Sequence, residues 1–544
     1  MIYKYTRREM LKLTGGFVAS AVAPRVAFGA DTPNIFGLVN GHARAAEAGN
    51  KVLREGGNAV DAAVAAALVA GVTAPNGCGI GGYGGHMVIA LKGGKRITAI
   101  DFNSTAPAAA RPDMFPLDEN GTVRGRINDY GWLAAGVPGT LAGLQLARDR
   151  YGTRPFRELV APAIQLAEEG FPVAAGLAGA IRSLSNQLRK DSASAKLLLK
   201  NGEPLSAGDT YRNPDLAKML EKLARENSVA SFYRGDIGRH IAAEFQKHGG
   251  LVTAKDMANY KAREVEPLEI KWRGFTIHTA PLTAGGLTVL QALLILKMLN
   301  WEKLPATPAR THALLEALRV AWNDRLGLLG DPQKVKAPVE RLLSEKYARE
   351  VAVKVEAATK ERKPLLFKTE SRAQGGTIHL NSTDRYGNTV ALTLTHGNAF
   401  GACVTVEGLG LILGHGMSRF DPRPAHPNSP GPGKRPLHNM CPTIVLRGGK
   451  PVLALGATGG RMIVNAVFNV LAQFVGLDAS IEDAIAAPRI HTDGNLDLTL
   501  ERKGLEAETE FLKGVGYNVK FGNVANAHAL LVNRETGAAR AAAR

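Results

Sequence analysis

The sequence predicts a mixed α/β chain of the α+β kind, on three observations. Alanine-rich and amphipathic stretches at helical spacing fill residues 42–73, 138–175 and 286–350. Short β-rich runs flank tight turns at KGGK (92–95), DRYG (384–387) and RGGK (447–450). After Gly376 the texture changes to alternating strands, glycine turns and one long helix.

The elements follow in order. HARAAEAGNKVLREGG and NAVDAAVAAALVAGV read as two helices, the second with Asn58 as N-cap. A glycine-rich turn, NGCGIGGYGG, leads into the strands HMVIAL and RITAIDF. GIGGYG matches G-x-G-x-x-G but follows a helix and precedes a hairpin. A dinucleotide site needs the reverse order, so these glycines are assigned to tight backbone packing. YGTRPF breaks two amphipathic helices within 138–175. Residues 180–265 read as polar helical material, 266–280 as strand and 286–350 as helix. Residues 354–374, charged and carrying Lys363-Pro364, read as an exposed linker.

The 544 residues suffice for a large core in one or two domains. Net charge is +18, of which residues 1–30 hold +4, leaving about +14 without them. That excess suits anionic substrates or a spread solubilising surface. No basic-aromatic stripe or finger spacing points to nucleic acid. Three cysteines, no CxxC and no HExxH argue against a metal site. A single Cys403–Cys441 disulfide is left open.

Residues 1–30 read as an address. Arg7-Arg8 precede a Gly/Ala-rich apolar run and the small residues AFGA at 27–30, in the pattern of a twin-arginine export signal. The run is far shorter than the ~20 residues that span a bilayer. The expectation is a periplasmic or secreted protein with no membrane anchor after signal removal.

TIHLNST and NTVALTLT surround DRYG, so residues 377–395 form a hairpin. Centred on Tyr386, it sets Thr377 opposite Thr395 and His379 opposite Thr393, with paired side chains about 5 Å apart on one face. By itself a facing threonine pair is ordinary sheet packing. Gly375-Gly376 after a charged linker gives Thr377 another use. Cleaving the Gly376–Thr377 bond would leave an α-amino group beside the hydroxyl. With a pKa of about 7.7–8, that amine suits the general base a threonine nucleophile needs. Downstream, PTIVLRGGKPVLALG reads as a hairpin that runs through Ala457-Thr458-Gly459-Gly460 into a helix. That helix carries Ile463, Val467, Val470 and Phe474 at core spacing. Free N–H groups at Gly459 and Gly460 suit a developing oxyanion.

These residues resemble the γ-glutamyltransferase family of N-terminal-nucleophile hydrolases. The matching stretches are GGNAVDAAVAAAL, GIGGYGG, TAPAAA with DMF, GVPGTLAG, YGTRPFRELVAPAIQLAEEGFPV, GTIHL with DRYGN, GKRPLHNMCPT and GATGG. They occur in family order across most of residues 38–535. The resemblance implies a four-layer αββα sandwich and a proenzyme cut at Gly376–Thr377. The products would be a large subunit (31–376) and a small subunit (377–544) that stay together as a heterodimer. It implies Thr377 as nucleophile, Thr395 as the threonine assisting processing, and Gly459 and Gly460 as the oxyanion hole. It implies no cofactor, and a small-molecule amide or peptide substrate.

The substrate-binding positions depart from that family. Asn103 stands where the family grips a glutamyl α-carboxylate with arginine. Gly397, Gly416 and Arg419 stand where it binds the α-amino group with Asn, Gln and Asp; a shift of one residue makes Asn398 the first match. His438 and Asn439 replace a serine pair, and Ile378 replaces a threonine. The segment between Phe420 and Lys434 is short and proline-rich. An Arg facing an ammonium in place of an Asp turns attraction into repulsion worth several kcal/mol. The resemblance thus implies a self-processing amide hydrolase or acyltransferase acting on a γ-glutamyl or related acyl amide. Arg419 favours an acyl group bearing a carboxylate without the amine, as in a dicarboxylic half-amide such as a glutaryl amide. A non-catalytic binding protein on the same fold is the alternative from another class.

Overall fold

The computed structural model describes residues 37–367, 376–501, 506–533, 536 and 538–544. The export-signal reading of residues 1–30, and Gly375, lie outside these. Twelve strands build two sheets. They are β1 (Gly37–Asn40), β2 (Gly84–Leu91), β3 (Arg96–Asp101), β4 (Arg263–Val265), β5 (Leu268–Trp272), β6 (Phe275–Thr279), β7 (Ile378–Asp384), β8 (Thr389–Thr395), β9 (Thr443–Arg447), β10 (Lys450–Thr458), β11 (Asn526–Val532) and β12 (Ala539–Ala543). The first sheet runs β1-β7-β8-β2-β3-β4 and the second β12-β11-β10-β9-β6-β5, every neighbouring pair antiparallel.

Strand alternation assigns the layers. In β2, Met87 and Ile89 pack outward with the helices, whereas Val88 and Ala90 pack inward against the other sheet. In β9 and β10, Val445, Leu453 and Leu455 face the second helical layer, and Ile444, Leu446 and Ala454 face the first sheet. Alanines at 90, 99, 391 and 454 keep the sheet–sheet interface thin. With both faces buried, these strands read as near-continuous apolar runs.

The helices α1 (Ala43–Arg54), α2 (Ala59–Thr73), α3 (Thr140–Tyr151) and α4 (Phe156–Glu169) cover the first sheet. Every residue of α2 is buried. Asn58 caps it as expected, accepting from the N–H groups of Val60 and Asp61 in a capping box. The helices α5 (Gly286–Met298), α6 (Pro308–Leu328), α7 (Glu345–Glu361) and α8 (Met462–Leu471) cover the second sheet. The arrangement is the four-layer αββα sandwich.

Two expectations change. The stretch read as a linker from residue 354 is helical as far as Glu361, because Val351, Ala352, Val355 and Ala358 give α7 a buried stripe beneath its charges. Residues 263–265, read with the polar helices, add the edge strand β4. Cys78, Cys403 and Cys441 are all free and buried, the last two in different cores, which closes the disulfide question. Among the described residues no helix is long and apolar enough to cross a membrane, and no cluster of three metal-ligating side chains occurs.

Candidate active site

The β7–β8 hairpin adopts the expected register: Ile378 pairs with Leu394 and His379 with Thr393. Thr377, just before β7, therefore meets Thr395 at the end of β8, with their Oγ1 atoms 3.2 Å apart. Thr395 Oγ1 donates to the Gly376 carbonyl at 2.6 Å and accepts from the Gly397 N–H at 2.7 Å. The Thr377 hydroxyl also touches the Gly376 carbonyl oxygen. The peptide bond before Thr377 is thus flanked by its own residue's hydroxyl and a hydrogen bond on its oxygen. Gly376 has φ +101°, and a Cβ there would lie 2.9 Å from the Asn398 carbonyl carbon and the Gly397 oxygen. Only glycine fits that approach without strain.

Below the threonines a buried polar network joins the sheets. His379 Nε2 bonds Asn381 Oδ1 at 2.9 Å, and its Nδ1 accepts from Thr393 Oγ1 at 2.8 Å. Asn381 Nδ2 donates to Asn40 Oδ1 and to the His528 carbonyl across the interface. Burial first, and His528 second, push the His379 pKa down to about 3, so the ring is neutral. It fills the space over Gly456, where a Cβ would sit 2.2 Å from Cε1. This contact sets the start of β7 and the end of β10 at the same end of the sandwich. Gly459 and Gly460 follow β10 there with φ of +136° and +64°. Neither N–H has a hydrogen-bond partner among the described residues. Arg461 then opens α8. In that helix Ile463, Val467 and Val470 are buried as their spacing required, and so is Phe474 in the π-helical turn that continues it.

A cleft of about 270 Å³ opens beside this end. Its lining includes Asn398, Arg419, Asn439, Arg461, Arg325 and Trp322. Asn398 also packs on Gly376, which links the cleft to the threonines. Three of the five expected substrate-binding residues, Asn398, Arg419 and Asn439, line it. The other two do not. Asn103 is fully buried and donates to Thr283 Oγ1 and the Pro436 carbonyl. His438 bonds His86 Nδ1 at 2.9 Å and accepts from the Met440 N–H. Both hold the wall behind the cleft, their side chains committed to protein partners. Sequence reasoning missed His415, which contacts Arg419, and the lining residues Arg325 and Arg461. Lone residues flanked by glycines or embedded in helices carry no motif.

The cleft is electropositive. Of its arginines, Arg126 pairs with Asp129 at 3.0 Å and Arg461 reaches Asp493 at 3.4 Å. Arg325 and Arg419 make no ion pair among the described residues. Arg325 donates instead to the Ala284 and His438 carbonyls, which fixes the 438–439 segment. Burial, followed by Arg461, lowers its pKa to about 10.

The gamma-glutamyltranspeptidase family model matches residues 45–544. The chain belongs to the gamma-glutamyltranspeptidase family. It is 37% identical over 496 residues to the glutathione hydrolase proenzyme of Escherichia coli K12, covering 88% of this chain and 84% of that protein. It is 35% identical over 489 residues to the acylase ACY 1 proenzyme of Pseudomonas sp. SE83, covering 89% and 87%. The cephalosporin acylase from Bacillus halodurans superposes with a TM-score of 0.82 at 25% identity, covering 97% of each chain. The Helicobacter pylori gamma-glutamyltranspeptidase structure superposes with a TM-score of 0.56 at 32% identity, covering 62% of this chain and 99% of that one. Like other gamma-glutamyltranspeptidase family members, this chain is a hydrolase or acyltransferase of the N-terminal-nucleophile type, and the Escherichia coli and Pseudomonas sp. SE83 relatives are named as proenzymes.

Proposed function

We propose that this chain is an exported, self-cleaving amide hydrolase or acyltransferase whose nucleophile is Thr377. The observation that carries the reading is Thr395 bonded to the Gly376 carbonyl while facing Thr377. In processing, Thr377 Oγ1 adds to the Gly376 carbonyl carbon, and Thr395 stabilises the charge forming on the oxygen. The hydroxyl proton passes to the Thr377 nitrogen, and the C–N bond breaks to leave an ester. Water then adds and the ester C–O bond breaks, which frees the Gly376 carboxylate and restores the hydroxyl. The large and small subunits stay joined because β7 and β8 are interior strands between β1 and β2.

In turnover the freed Thr377 amine takes the hydroxyl proton, Oγ1 attacks the substrate amide, and the Gly459 and Gly460 N–H groups receive the oxyanion. The leaving amine departs with a proton, and water or an acceptor amine resolves the acyl-enzyme. No step calls on a cofactor. Replacing Thr377 by Ala should abolish both cleavage and turnover; cleavage that persists overturns the assignment.

A finer reading of the acyl donor is favoured by Arg419. A buried cation in the cleft without an ionic partner suits a carboxylate and opposes an ammonium. The preferred donor is then a dicarboxylic half-amide in place of a free γ-glutamyl group. Comparing glutaryl and γ-glutamyl p-nitroanilides on the processed enzyme tests this; a γ-glutamyl preference overturns it.

A further inference from the structure

Arg419 is held in an unusual manner. His415 stands four residues before it, on the short turn leading into Gly416–Arg419. Its Nδ1 lies 3.2 Å from the Asp129 carbonyl oxygen, which can only accept, so Nδ1 carries the proton. The Nε2 lone pair is then left for two donors. One is the Asn398 N–H at 2.7 Å and the other is Arg419 Nη2 at 3.0 Å. A single acceptor atom thus ties down the cleft's arginine and the backbone that packs on Gly376.

Space for this ring is provided at one position. Gly397 has φ +99°, and a Cβ there would sit 2.0 Å from His415 Cδ2 and 2.1 Å from Nε2. Any larger residue at 397 expels the imidazole. Among the described residues the guanidinium also interacts with Tyr83, a phenol that burial keeps protonated. The cleft carboxylates make their ion pairs elsewhere, Asp129 with Arg126 and Asp421 with Arg423 at 2.6 Å, although the Asp129 charge still acts on Arg419 from beyond contact. Arg419 Nε is buried with no hydrogen-bond partner among the described residues.

We infer that His415 is a positioning residue that fixes the Arg419 guanidinium, which has no ion-pair partner among the described residues, as a cationic receptor for the carboxylate of the acyl chain, in the space that Gly397 leaves open. The inference rests on the reading of Arg419 given above. Its physical content is the difference between a neutral and a charged orienting group. A carboxylate at 415 would hold the guanidinium more firmly but would cancel its charge, leaving little attraction for a substrate anion. A neutral imidazole acceptor orients the fork and leaves the charge intact. Burial, then the adjacent Arg419, keep the His415 pKa well below the ordinary histidine value, so it stays an acceptor at neutral pH.

The test compares glutaryl p-nitroanilide with valeryl p-nitroanilide, an acyl chain of equal length that ends in a methyl group. The ratio of their kcat/KM values within one preparation does not depend on how much of the protein is processed or active. The wild type should favour the glutaryl substrate. His415→Glu should lower the ratio about tenfold or more, chiefly through a raised KM for the glutaryl substrate. His415→Gln, whose amide oxygen can accept from the same donors without adding charge, should hold the ratio within about threefold. Should the Glu variant not fold, His415→Leu removes the acceptor at similar volume and should lower the ratio as well. A glutaryl-selective wild type whose ratio survives His415→Glu or His415→Leu overturns the role of His415 alone. A Gln variant that loses the preference as fully as Leu contradicts the neutral-acceptor account. A wild type that treats the two substrates equally fails at Arg419 itself, and with it the substrate reading beneath.

Discussion

Thr395 Oγ1 lies 2.6 Å from the Gly376 carbonyl oxygen and donates its proton to it, while the Gly397 N–H bonds back onto the same hydroxyl. A hydroxyl that accepts one backbone N–H has its own proton directed, here at the peptide bond preceding Thr377.

From this follows the first prediction. Thr395→Ala removes the hydroxyl donor on the Gly376 oxygen that is not the nucleophile itself and should slow self-cleavage by about 10²–10³-fold, the usual cost of an oxyanion donor. Thr395→Ser should retain most of the rate. A time course of precursor loss on denaturing gels measures it, and an Ala variant that matures at the wild-type rate contradicts the role.

The pH dependence of turnover should report the Thr377 amine. A protonated amine cannot accept the hydroxyl proton, so activity is lost as pH falls through its pKa, about 7.7–8 if unperturbed. The buried rings nearby do not supply this limb. His379 and His396 are both pushed down to about 3, chiefly by burial. The acid limb of kcat/KM should show one inflection near the amine value; an inflection near 6 with none above it would point to another base.

Gly456 makes room for the His379 ring, which Thr393 and Asn381 hold from both sides. The imidazole cannot swing away without breaking those bonds. Gly456→Ala should therefore destabilise the protein by about 1–3 kcal/mol, as overpacking does. Denaturant unfolding measures this, and an unchanged midpoint would show that the two sheets can separate at little cost.

Acid should weaken the fold before carboxylates are involved. His86 and His528 are held down to about 4, and His379 and His396 to about 3, burial being the largest cause in each. Below the unfolded value of about 6.5 the unfolded chain binds protons that the folded chain does not. Stability contributed by these rings is thus fully present above pH 6.5 and falls as pH drops toward 3–4. Tm should decline steadily between about pH 6.5 and 4.5; a flat profile there contradicts neutral buried rings.

Much of this was legible in the sequence because it is local. The DRYG turn fixes the hairpin register, and the register alone brings Thr377 to Thr395. Glycines at 459 and 460 before a helical run mark an N-terminus with open amides. The cleft wall was less legible because its members come from distant segments. His415 meets Asp129, from a loop nearly three hundred residues earlier, and nothing in G-H-G predicts that contact. Asn103 and His438 are expected to bind substrate from the family resemblance, yet burial and internal hydrogen bonds commit them to the wall. The last turns of α7, from residue 354 to Glu361, read as linker because charges there outnumber apolar residues, although Val355 and Ala358 continue the buried face of the helix.

The central claim is that Thr377 is the nucleophile released by cutting after Gly376. N-terminal sequencing and intact mass of the small fragment from the purified protein test it most directly, with Thr377→Ala prepared in parallel. The account predicts a small fragment beginning at Thr377 in the wild type, and an uncut, inactive chain in the variant. A fragment beginning elsewhere, or a Thr377→Ala chain that still matures and turns over substrate, would contradict it.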